Sequence, residues 1–218
     1  MANKYGIKDL EDDIVARLKL MFPSTLKDFD KIYRSCERAD NHYTSSQAHM
    51  KLHARDAIVA INLARTFNIP CILPSAFYIC SRLPVDILVT GVPNPRDSRY
   101  LLSKADQTRC FQGILELSRR YVLKLETLHH EIGTGDCDDV EGCEERAQER
   151  AEEDRRENDD MHSLNALGNC LARSTTVRSE LDEEGLCDTC ISRMEELWDD
   201  FRDDTWSALK RIFNLDKK

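Results

Sequence analysis

The sequence predicts an all-α protein: an irregular multi-helix bundle with an acidic C-terminal helical subregion. Three observations carry that prediction. Apolar residues recur at steps of three and four through most of the chain. A third of the 218 residues are charged while only eight are glycine and six proline, a composition that favours helix. No alternating Val, Ile and Thr run and no Asn-Gly hairpin turn occurs. With 41 % hydrophobic residues the chain can bury a core.

The first helix is read over residues 7–22, where Ile7, Leu10, Ile14, Leu18 and Met21 form one stripe and Pro23 ends the run. Ser24 and Thr25 are N-cap types for a second, short helix through Leu26, Phe29, Ile32 and Tyr33. Residues 40–46 lack periodicity and read as a loop, and residues 52–67 form a helix apolar on most of its surface. Residues 69–83, bounded by Pro70, Pro74 and Pro84, read as a short buried helix, and the Gly- and Pro-rich stretch 91–100 as a connector. Ser103 stands three residues before Asp106 like a capping box, opening a helix of seven or eight turns through Cys110, Ile114, Leu117, Tyr121, Leu125 and Leu128 that ends near Gly133. Residues 144–160 carry almost nothing apolar but many opposite charges three or four apart, as in an exposed helix or a mobile insertion. The last helix covers residues 187–213, with a kink or break expected around residues 202–205.

The formal net charge of −9 is divided unevenly, with +4 over residues 1–132 and −13 over residues 133–218. That break, at Gly133 and Gly135, suggests two subregions: a helical region over 1–132 and an acidic one over 133–218 that carries paired cysteines. Acidity disfavours nucleic-acid binding, because phosphate backbones are repelled. No apolar stretch reaches the roughly 20 residues needed to span a bilayer, and the acidic first twenty residues are unlike an export signal. The expectation is an intracellular protein, cytoplasmic or nuclear, that engages neither membrane nor nucleic acid. Its nine cysteines are then expected as reduced thiols that pack or bind metal.

Two cysteine pairs stand out. Cys187 and Cys190 are spaced C-x2-C at a helix start, and Cys137 and Cys143 sit ahead of residue 144. A C-x2-C at a helix N-terminus can present two thiolates to one ion, and a second pair completes a tetrahedral zinc site. Buried or idle thiols are the plain alternative, and redox sensing a further one. Thioredoxin-like catalysis would need a strand ahead of Cys187, where SELDEEGL stands instead. Histidine offers less. After His129-His130-Glu131 the position a zinc protease fills with a second ligand is Thr134, and His42, His49 and His53 read as surface groups. No phosphate-binding glycine loop or serine elbow occurs, so the chain is read as non-enzymatic.

MANKYGIKDLEDDIVARLKLMFPSTLKDFD resembles the stretch that follows the BTB/POZ domain, where an A-D-K-Y helix (A-N-K-Y here) leads into a BACK-like helical region. AIVAINLARTFNIPCILPSAFYICSRLPVDILVTGV is similar to the post-BTB region of BTB domain-containing proteins of mushroom-forming fungi, and LCDTCISRMEELWDDFRDDTWSALKRIFNL to that family's C-terminal block. The resemblance implies a protein-interaction module that begins at what would be the last helix of a BTB fold. In the family, dimerisation and cullin docking belong to the BTB fold, so neither is carried over here. The family often has cysteines where Cys137, Cys143, Cys187 and Cys190 stand, which supports structural zinc. The stripe Ile7, Leu10, Ile14, Leu18 and Met21 is then the expected contact for a protein partner or for self-association.

Overall fold

The computed structural model describes residues 8–33, 42–45, 50–95, 98–133, 136–159 and 185–216. Among these residues eight α-helices dominate and the class is all-α. The chain divides into two compact units, residues 1–113 with 209–218 and residues 114–208. The charge break at Gly133 therefore lies inside the second unit.

In the first unit, helix α1 (Lys8–Met21) stops just short of Phe22-Pro23, as the proline requires. Thr25 starts α2 (Leu26–Tyr33): its Oγ1 accepts the Asp28 N–H at 3.2 Å and donates to the Asp28 carboxylate at 2.7 Å. An antiparallel hairpin follows, β1 (His42–Ser45) with β2 (Met50–His53), pairing His42 with His53 and Ser45 with Met50. The loop expected over residues 40–46 is thus partly strand, and the helix expected from residue 52 begins only at Asp56. The Asp56 carboxylate accepts the His53 N–H at 2.8 Å, which fixes the exit from the strand and delays the first helical turn.

Helix α3 (Asp56–Thr66) packs on α4 (Leu73–Ser81), which is entered through a 3₁₀ turn at Pro70–Ile72. Pro74 lies in the first turn of α4, where its missing N–H costs nothing. Ala57, Ile58, Ala60, Ile61 and Ala64 of α3 meet a helix buried almost all round. Phe29 stands edge-on to Tyr78 at 5.7 Å, and Phe77 stacks on Phe213 at 5.4 Å. A further short helix, α5 (Val85–Thr90), precedes the small ladder β3 (Val92–Pro93) with β4 (Arg99–Tyr100) in the expected connector.

Ser103 opens α6 (Lys104–His129) with the anticipated capping pair, accepting the Asp106 N–H at 3.1 Å and donating to Asp106 Oδ2 at 3.0 Å. Asp106 Oδ1 takes the guanidiniums of Arg65 (2.8 Å) and Arg109 (3.1 Å). Gly113 on α6 lies against the ring of Phe213, and a methyl group on its Cα would overlap that ring. Gly113→Ala is expected to cost about 2–3 kcal/mol, the upper part of the overpacking range, against roughly 1 kcal/mol gained in helix propensity. The net loss should appear as a lower urea midpoint, and an unchanged midpoint would count against this packing.

The second unit contains the remainder of α6, α7 (Val140–Asp159) and most of α8 (Asp188–Ile212). The acidic stretch read as helix or insertion is helix. Its core joins Leu117, Tyr121, Ile132, Ala147, Ile191, Met194, Trp198 and Phe201, with Tyr121 edge-on to Trp198 at 6.0 Å. Helix α8 runs unbroken through residues 202–205, against the expected break. Arg202 and Thr205 turn inward and are buried, Arg202 reaching back one turn to Asp199 at 3.3 Å, while Asp203 and Asp204 face solvent. Polar residues at inward positions imitate a break in the pattern without making one.

Candidate metal centre

Within the second unit the chain brings four cysteines to one point. Two helix N-termini supply them in the same way. Asp139 caps α7, its carboxylate accepting the Gly142 N–H at 3.1 Å and its carbonyl the Cys143 N–H at 2.9 Å. Cys143 therefore sits in the first turn, with Cys137 in the irregular chain just ahead. Cys187 likewise precedes α8 by one residue, and Cys190 lies in its first turn. Both pairs thus stand at the positive end of a helix dipole, where negative charge on sulfur is stabilised.

The four Sγ atoms lie within 4.8 Å of one another. Cys137 Sγ is 3.7 Å from Cys187 Sγ and 3.5 Å from Cys190 Sγ. A tetrahedron of sulfurs about a zinc-sized ion has edges of roughly 3.8 Å, given metal–sulfur bonds of about 2.3 Å. These separations match that edge and are far beyond a disulfide bond. Cys143 and Cys190 are buried; Cys137 and Cys187 are half-buried. The four cysteines can hold a metal ion.

Backbone donors complete the cradle. The Cys187 N–H points to Cys143 Sγ at 3.5 Å. The amides of Cys190 and Asp138 donate to the Cys187 sulfur, and the amide of Gly133 to the Cys190 sulfur. Gly133 has φ +78°, which L side chains rarely adopt, and a Cβ there would stand 2.6 Å from Cγ of Glu144. A glycine just past a long helix was the sequence signal for this donor, since such positions end helices in the left-handed conformation. It reads as a helix stop, and only the structure shows its amide turned onto a sulfur.

These surroundings push the thiols apart. Amide N–H groups, first that of Cys190, lower the Cys187 thiol to about 6. Burial pushes Cys190 up to about 12 and raises Cys143. At neutral pH protons on Cys143 and Cys190 compete with any cation. Metal affinity should therefore rise with pH, each of these two protons contributing about tenfold per pH unit. Competitive titration with a metal indicator between pH 6.5 and 8 should show a gain of at least about a hundredfold per unit; a pH-independent affinity would contradict the arrangement.

No family model, curated protein or solved structure matches this chain. The site is thus read from its own geometry. The remaining expected residues are distributed as follows. In the stripe on α1, Leu18 and Met21 are buried while Ile14 is exposed at 39 %; the Leu10 side chain and Ile7 lie outside the described residues. His130 and His53 are exposed, His42 faces His53 across the hairpin register, and His49 lies outside the described residues. Cys71, Cys80 and Cys110, in the first unit, are unbridged.

Proposed function

We propose that the second unit is a structural zinc module within a helical protein-interaction protein. One observation carries this: four sulfurs from two helix N-termini, far apart in sequence, lie at the spacing of a tetrahedral thiolate shell. Thiolate ligands and tetrahedral geometry favour zinc or iron over harder cations. A shell of four protein ligands leaves no position for substrate, so the ion's work is to hold α7 to the start of α8. Asp136, Asp138, Asp139 and Asp188 are exposed around it and add negative charge that attracts a cation.

The interaction role is supported by the resemblance to post-BTB helices and by apolar side chains left in solvent, among them Ile14 and Leu20 of α1. Self-association through α1 would appear in light scattering as a mass that grows with concentration and stays monomeric in Ile14→Asp.

The deciding experiment is elemental analysis of the purified full chain. It should contain one zinc per molecule, and cobalt(II) substitution should give the absorption of a tetrahedral tetrathiolate site. Protein that carries no metal and takes up none from zinc-containing buffer overturns the reading.

A further inference from the structure

The four sulfurs are not equivalent. Cys143 and Cys190 are buried and lie within the first turns of α7 and α8, where helical hydrogen bonds fix their backbone. Cys137 and Cys187 are half-buried; Cys137 stands in irregular chain ahead of α7, and Cys187 is the residue before α8, its carbonyl accepting the Ile191 N–H at 3.0 Å. Their sulfurs are 3.7 Å apart. The two sulfurs most open to a small oxidant are thus also within reach of each other, and Cys137 lies outside both helices.

Resting on the zinc reading, we propose that the centre is a peroxide-sensitive clasp, in which oxidation joins Cys137 to Cys187 and expels the metal. One of these two thiolates attacks a peroxide oxygen: an S–O bond forms, the O–O bond breaks, and hydroxide leaves and is protonated to water. The second thiolate attacks the resulting sulfenyl sulfur, forming the S–S bond as the S–O bond breaks and a second water departs. The two sulfurs lose two electrons in total and hydrogen peroxide gains them. Cys143 and Cys190 alone do not retain the dication, which leaves to solvent while each of them takes up a proton. The new bond keeps the chain ahead of α7 pinned to Cys187, yet frees the N-terminus of α7 itself. Reduction by a thiol in the presence of zinc reverses the change.

The test uses the full, zinc-loaded chain and needs no variant. Metal content is measured first; its absence overturns the zinc reading before peroxide is added, and this proposal with it. Hydrogen peroxide is then titrated, with released zinc followed by a chromogenic chelator and the cysteines mapped by alkylation and mass spectrometry. The expected result is one zinc released per Cys137–Cys187 disulfide, with Cys143 and Cys190 still alkylatable and zinc rebinding after dithiothreitol. Zinc retained while other cysteines of the chain oxidise overturns the proposal. So does release that accompanies a Cys137–Cys190 or Cys187–Cys190 bridge, the first joining sulfurs 3.5 Å apart, or irreversible oxidation to sulfinic or sulfonic acid.

Discussion

On the zinc reading proposed above, removal of the metal by a strong chelator, or replacement of Cys143 with serine, is expected to unfold the second unit. Helix α7 is 20 residues long, yet Cys143 and Ala147 are its buried residues among those whose burial is described. A helix of that length with so little apolar cover is marginal on its own. The free energy of a structural zinc site, on the order of 10 kcal/mol at neutral pH, is comparable to the whole stability of an ordinary domain. The two tryptophans, Trp198 and Trp206, both lie in the second unit, so their emission reports on it selectively. Trp198 is buried at 3 % exposure, and its emission should shift to the red on chelation as far-UV ellipticity falls. Unchanged emission and ellipticity after verified metal removal would show that the helices stand without the ion.

The second large effect is expected at Asp106. This residue is 3 % exposed and joins three parts of the first unit: it receives Arg65 from α3 and Arg109 from the next turn of α6, and its carboxylate accepts the capping Ser103 hydroxyl. Asp106→Ala should cost about 3 kcal/mol, the low end for breaking a buried ion pair. The low end applies because the Arg65 and Arg109 side chains keep 37 % and 24 % exposure and so recover some hydration. Asp106→Asn, which retains an acceptor but no charge, should cost less. Urea denaturation of both variants separates the cases: equal losses would mean that the charge contributes everything and the retained acceptor geometry nothing.

The caps at Thr25 and Ser103 and the proline stop at Pro23 were legible in the sequence because each rests on contacts within one turn. The four cysteines were legible as a set too, since C-x2-C at a helix start is a local signal. What the sequence concealed lies between distant parts of the chain. The register of His42 with His53 comes from strand pairing that no alternating pattern announces, in a segment whose pairing depends on its neighbours more than on propensity. Arg65 finds Asp106 across 41 positions, and nothing local marks either residue as a partner. The inward turn of Arg202 and Thr205 was likewise invisible, because their polarity argued for solvent while the packing of α8 took them inside.

The first unit comprises residues 1–113 together with 209–218, and Phe213 is among its fully buried side chains. A ribosome therefore releases all of the second unit before it has made the residues that finish the first. The early part of the chain must wait, with the seat of Phe213 uncovered, until residues 209–218 have been made, and a loss of those ten residues would be felt first in a part of the chain made before the second unit.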